Sequence, residues 1–290
     1  MSAAVHAFAR LAGAPGAAAL LQAAAPPGTR PTIDISWLDL GLAAGLVLVA
    51  VAISAWQRLG LARGFAVGAV RAVVQLVAVG YVLVYVFAAN RWWLVLAALL
   101  VMLGAATWTS VQRVRAPRRV IGPIAGVAML VGAGLTLAYV DAIVLRPAEW
   151  YNPRYLIPLF GMIIGNAMNG ASLAAERLTS EIEARRGEIE AYLALGASPM
   201  RAAQDAVRRA LTAALIPSVN GLAVVGLVTL PGMMTGQILA GNSPLLAVRY
   251  QIVVAFMLAG AVAVTAAIVV LWYCRRFFTP AEQLVPRVPV

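Results

Sequence analysis

Met162, Asn166 and Asn169 recur at i, i+4 and i+7, so on a helix they share one face. One thioether and two amides can line a polar path through an apolar segment, or hold a soft metal ion weakly. Interhelical hydrogen bonding would use the same amides. Met168, Met233 and Met234 add three more thioethers; as ligands they are weak candidates, because Met is more often packing filler. Gln237 follows the second pair in 231–242, a stretch too glycine-rich for a plain helix and too apolar for a plain loop. A broken or re-entrant segment fits that composition, provided protein or a water-filled cavity covers its backbone. Arg71, Gln75 and Tyr85 align in a similar way in an earlier apolar segment.

A second constellation lies in 176–209, the longest polar stretch, with six of the eleven acidic residues. Leu178, Ile182, Ile189 and Leu193 make an apolar stripe, and Glu181 to Arg185 is a favourable i,i+4 pair. Glu190, Leu195, Gly196, Ala197, Ser198 and Pro199 then read as a helix end and a new start: Gly closes one helix, Ser caps the next and Pro takes its first position. The pattern predicts a helical hairpin. It is either solvated on all sides or covered along its apolar stripe by a partner.

The inventory excludes several chemistries. All 22 basic residues are Arg, so there is no P-loop Lys and no Lys Schiff base. The single Cys274 and single His6 leave no intrachain disulfide, no thiolate zinc site and no His-based catalytic set. Asp34, Asp39, Asp141 and Glu149 fall at or beyond the ends of apolar segments, and none lies mid-span. That argues against a carrier coupled to an ion gradient, which usually relies on buried carboxylates, and against metal or glycosidic catalysis. The expectation is a protein that is not an enzyme and binds no cofactor itself.

These groups need helices to position them. The chain is 62% hydrophobic and 11% charged, with mean hydropathy +0.88, far from a soluble domain. Apolar segments at 38–56, 65–88, 92–110, 120–145, 155–175, 213–230 and 247–273 predict an all-α, multi-pass cell (inner or plasma) membrane protein of about seven transmembrane helices. A transmembrane domain over 38–280 would carry the hairpin at 176–209, between an amino-terminal tail, 1–37, and a carboxyl-terminal tail, 281–290. The tail reads as mobile; its 11–25 stretch has the look of a weak signal peptide, broken by Gly13, Pro15 and Gly16. Sixteen arginines fall on one set of alternate segments and six on the other, which predicts an external amino terminus and a cytoplasmic carboxyl terminus. The net charge of +11 is dispersed through loops, so nucleic acid is not an expected partner. Glycines spaced by four at 41/45, 60/64/68, 122/126, 161/165 and 232/236 predict close helix contacts.

Three stretches resemble the FetB-type (YbbM-like) permeases, iron exporters of the ABC class with plant relatives linked to aluminium tolerance. They are Ile157-Pro158-Leu159 leading to Gly161-Met162-Ile163-Ile164-Gly165-Asn166; Leu193-Ala194-Leu195-Gly196-Ala197-Ser198; and Leu230-Pro231-Gly232-Met233-Met234-Thr235-Gly236-Gln237. The resemblance covers about 38–280. It implies a homodimeric membrane subunit paired with a separate cytosolic ABC ATPase, which would supply ATP and Mg, and iron or a similar metal as exported cargo. Glu190-Ala191 followed by Gly196 is similar to the coupling motif of ABC importers, but Ile216-Pro217 comes about ten residues later than that motif places its Ile-Pro. Direction of transport cannot be drawn from it. The alternative is a secondary transporter that works without an ATPase.

Overall fold

The computed structural model describes residues 37–114, 117–147 and 149–285; the 1–36 part of the amino-terminal tail lies outside the described residues. The described chain is all-α. In order, α1 is Trp37–Trp56, α2 Ala62–Ala89, α3 Trp92–Arg113, α4 Arg118–Tyr139, α5 Pro153–Ala184, α6 Arg186–Ala194, α7 Pro199–Ala202, α8 Gln204–Val224, α9 Gly232–Leu239 and α10 Pro244–Cys274. A π-helical turn, Val140–Leu145, extends α4, and a 3₁₀ turn, Arg275–Phe277, extends α10. Six helices among the described residues are long and apolar enough to cross a bilayer: α1, α2, α3, α4 with its π turn, α5, and α10 with its 3₁₀ turn.

The expected span at 213–230 takes a different form. Helix α8 starts earlier, at Gln204, and ends at Val224. Residues beyond it fold into a turn, with Gly226 at φ 84° and Val225 bridged to Thr229. The reason is local: Pro217 removes one ladder hydrogen bond, and Asn220, Gly221 and Gly226 thin the apolar run. The 231–242 segment is interrupted as its composition predicts, with the short helix α9 inside it.

The chain divides into two compact units. One comprises the residues up to Ala88 together with Gln237–Ser243. Its helices α1 and α2 present apolar side chains almost all round, Leu46 and Leu76 among the most exposed, as lipid-facing helices do. Arg71, Gln75 and Tyr85 are exposed there too.

The other unit, Ala89–Gly236 and Pro244–Val290, holds a packed bundle. Helix α5 is its centre and touches α3, α4, α8 and α10. The core is built from small residues, Ala128, Ala133, Ala167, Ala174, Ala210, Ala261 and Ala266, with Ile121, Ile124, Met129, Ile163 and Leu178 filling between them. Lipid offers no hydrophobic drive between helices, so close backbone approach and van der Waals contact hold such a bundle. The closest approaches are at Gly132 of α4 against α10 and Gly170 of α5 against Val262 of α10. Of the glycines picked out by spacing, Gly122, Gly126 and Gly161 meet a neighbouring helix, whereas Gly41, Gly45, Gly60, Gly64, Gly68, Gly165, Gly232 and Gly236 have nothing within 4 Å of a built Cβ. Spacing finds a small-residue face; it does not say whether another helix lies on it.

Candidate functional site: a polar helix face and a helical elbow

Helix α5 begins with Asn152 as N-cap, its side chain accepting from the Arg154 N–H at 3.1 Å, and with Pro153 in the first turn. It carries two polar features. On one, Ser172 meets Ser110 of α3 at 3.0 Å, fully inside the bundle. On the other, Asn166 and Asn169 are exposed and Met162 is half-buried beside them. The Asn166 amide donates to its own helix, to the Met162 carbonyl at 2.9 Å. Asn169 Oδ1 accepts from Arg113 Nη1 of α3 at 2.7 Å. Thus Asn169 is occupied by an interhelical, charge-assisted bond, and Asn166 is tied to no other helix.

Met162 and Met168 are six residues apart on α5, about 120° around its axis, and Met233 and Met234 are adjacent and half-buried on α9. Among the described residues no group of three or more His, Cys, Asp or Glu could hold a metal ion. Gln237 Oε1 and Gln251 Oε1 are the buried side-chain atoms left without a hydrogen-bond partner among the described residues. At the start of α5 a cleft of about 440 Å³ is lined by Asp141, Glu149, Asn152, Tyr155 and Tyr250. Glu149 there already accepts from Asn90 Nδ2 at 3.2 Å.

At the other end of α5 a break at Arg185 (φ −108°) separates α5 from α6, where the spacing predicts one continuous helix. Helix α6 closes on Gly196 at φ 83°: Gly196 N–H donates to Leu193 O and Ala197 N–H to Tyr192 O, both at 3.0 Å. This is a Schellman closure, which needs a residue free to adopt positive φ. Ser198 stands before Pro199 in an extended conformation, but its side chain makes no capping bond. After α7 the chain breaks again at Ala203 before α8 begins.

Of the apolar stripe of this hairpin, Leu178, Ile182 and Ile189 are buried within the chain itself and so offer no surface to a partner, while Leu193 is half-buried. The exposed apolar groups are at the tip: Tyr192 is 48% exposed and Leu195 84%. Glu190 is held by Arg186 at 3.0 Å.

Charge pins the root of this elbow. Glu181, 8% exposed, is shared by Arg177 at 2.9 Å, Arg185 at 3.4 Å and Arg209 of α8 at 4.0 Å. Arg185 also reaches Glu188 at 3.0 Å and Asp205 at 3.9 Å. A carboxylate this buried persists only if paired. The sequence displays the Glu181–Arg185 pair, but Arg209 is 28 positions away from Glu181 and only the fold joins them.

The carboxyl-terminal segment completes the elbow. Phe277 and Leu284 are buried, Phe278 and Leu284 form an antiparallel bridge, and Arg186 Nη2 donates to the carbonyls of Leu284 and Val285 at 3.5 and 3.0 Å. So Leu284 and Val285 of the carboxyl-terminal tail are fastened to α6; 286–290 lie outside the described residues. Arg186→Gln is expected to speed amide exchange at Thr279 and Val285 about tenfold or more, through loss of a charge-assisted bond. Those N–H groups are held by Gln283 O and Phe277 O. Unchanged exchange would mean that Phe277 and Leu284 hold the segment without Arg186.

An all-α bundle with six helices long and apolar enough to cross a bilayer defines a polytopic membrane protein. The chain belongs to the Uncharacterised protein family UPF0014, whose description matches residues 37–278. It is 40% identical to "UPF0014 membrane protein slr1647" of Synechocystis sp. over 257 residues, 87% of this chain and 97% of that one. It is 40% identical to "UPF0014 membrane protein STAR2" of Oryza sativa subsp. japonica over 259 residues, 89% of each. It is 37% identical to "Probable iron export permease protein FetB" of Escherichia coli over 248 residues, 85% of this chain and 94% of that one. No solved structure matches the chain.

Proposed function

We propose that this chain is the membrane-spanning subunit of an ABC-type transporter that exports iron or a similar metal, and that a separate cytosolic ATPase drives it. Iron export rests on the name of the Escherichia coli relative. The need for a separate motor rests on the absence of any Lys, and so of any P-loop, in the whole chain. The single observation that carries the coupling is the elbow: a Gly196-closed turn whose exposed tip residues, Tyr192 and Leu195, close α6; Arg185, just before α6, is paired with Glu181 of α5, which in turn meets Arg209 of α8. Motion imposed at Glu190, Leu195, Gly196, Ala197, Ser198 and Pro199 would pass along two rigid helices into the bundle.

In this reading α8 is a seventh crossing, the amino terminus is external and the elbow is cytoplasmic, as the arginine distribution favours. The pathway runs along the Met162–Asn166–Asn169 face of α5. An exposed amide at membrane depth is not stable against hydrocarbon, so the matching face of a second copy would cover it.

The test is reconstitution with a cytosolic ABC ATPase that co-purifies with this chain. Iron should move only when that ATPase is present and hydrolysing. Transport driven by an ion gradient, with no ATPase in the proteoliposome, would defeat the proposal. Asn166→Leu is expected to lower transport roughly tenfold, the scale of one lost hydrogen bond to cargo or water in the barrier state. Its thermal stability should stay within about 0.5 kcal/mol, since the amide bonds only to its own helix. Equal loss of folded protein and of transport would make Asn166 a packing residue.

A further inference from the structure

Helices α5 and α8 leave their apolar stretches side by side, and the groove between them there is about 450 Å³. Its polar end is lined by Arg177, Arg208, Arg209 and Asp205, and its apolar end by Thr212 and Ile216. Thr212 donates its hydroxyl proton to the Arg208 carbonyl at 2.9 Å, so the donors that face the groove are guanidinium groups. Arg177 and Arg209 share one carboxylate, Glu181. Arg208 is exposed and, among the described residues, no carboxylate lies within 4.0 Å of it. Three guanidiniums against Glu181 and Asp205 leave the groove with a net positive charge. Beyond Thr212 the wall of α8 continues as exposed Ile216 and Val219, at 49% and 62%.

We propose that this groove is a binding site for an anionic phospholipid. The guanidinium fork matches two oxygens of a phosphate. The arginines stand where both helices pass from apolar to polar sequence, the level of lipid headgroups, and basic pockets between spanning helices at that level hold acidic lipids. The open apolar wall above them gives an acyl chain a surface to follow. A free phosphate would use the arginines but not Ile216 and Val219. Because Arg177 and Arg209 also hold Glu181, a bound headgroup competes for the charges that pin the root of the elbow.

The test uses the full chain alone, in neutral detergent, so its outcome is independent of whether an ATPase drives transport. Native mass spectrometry with phosphatidylglycerol and phosphatidylcholine should show preferential retention of phosphatidylglycerol. Arg208→Gln should cut that preference about fivefold, and Arg177→Gln by a similar factor. Arg119→Gln, which removes an exposed arginine at the start of α4, should leave it unchanged. Among the described residues the Arg208 side chain has no ion-pair partner, so equal melting temperatures of Arg208→Gln and the parent in phosphatidylcholine would certify folding. An unchanged preference in Arg208→Gln, or an equal loss in Arg119→Gln, would overturn the site. Full displacement of the lipid by inorganic phosphate would assign the groove to a free anion and overturn the lipid reading.

Discussion

Leu195→Glu is expected to abolish capture of the proposed ATPase partner while the protein folds and inserts normally. Leu195 is 84% exposed at the tip of the elbow, so a carboxylate there is fully solvated and costs the isolated chain almost nothing. In a complex the same carboxylate would be desolvated against an apolar pocket. An anchor of this kind contributes at least about 2 kcal/mol, a weakening of thirtyfold or more, and an unpaired buried charge adds to it. Gly196→Val approaches the same turn differently. With φ at 83°, a β-branched residue strains the closure by about 1–2 kcal/mol and loosens the two hydrogen bonds from Gly196 and Ala197. Co-purification of both variants with the ATPase reads the result. Undiminished capture by Leu195→Glu would remove the elbow tip from the interface. Labelling of a cysteine placed at Ala197 with an impermeant reagent checks the sidedness that this prediction needs, because the native Cys274 is buried.

Gly132→Leu is expected to prevent the bundle from packing. Even the Cβ of an alanine at this position would overlap Thr265 Oγ1 and stand 3.1 Å from both the Ala261 carbonyl and the Thr265 nitrogen of α10. A side-chain atom can move, but a helix backbone cannot without shifting α10 as a whole. Overpacking of this kind costs about 1–3 kcal/mol for small additions and more where the obstacle is backbone. Gly132→Ala should therefore lose on the order of 2 kcal/mol and Gly132→Leu should leave little folded protein. Thr265→Ala should restore part of the loss in Gly132→Ala. The rescue is incomplete because the α10 backbone stays and because Thr265 Oγ1 gives up its bond to the Ala128 carbonyl, 3.4 Å long. Gly134 is the control: on the same helix, nothing lies within 4 Å of its Cβ position, and Gly134→Ala should be neutral or stabilising. Thermal unfolding in detergent measures the series. A destabilised Gly134→Ala beside a normal Gly132→Ala would contradict the packing described here.

The elbow was legible to the residue in places and misread in others. Gly196 and Pro199 mark its turn because positive φ and a fixed φ are properties of single residues. The stripe Leu178, Ile182 and Ile189 has the right period, yet it faces the chain's own helices, and the exposed tip is Tyr192 and Leu195. The polar face of α5 behaves the same way. Periodicity aligns Asn166 with Asn169, but only the bundle separates them, one bonded to Arg113 and the other bonded to its own helix alone. The tight glycines, Gly132 and Gly170, are not the ones spaced by four.

Helical class, residence in lipid, and the absence of P-loop or thiolate chemistry follow from the order of residues alone. Each depends on the composition of one segment or on a residue type that is missing. Which stripe is covered, which arginines converge on Glu181, which glycines meet a backbone and where the last residues fasten were decided by the fold. Those are relations between groups distant in the chain, and distance across a bundle is set by packing, which no single helix contains.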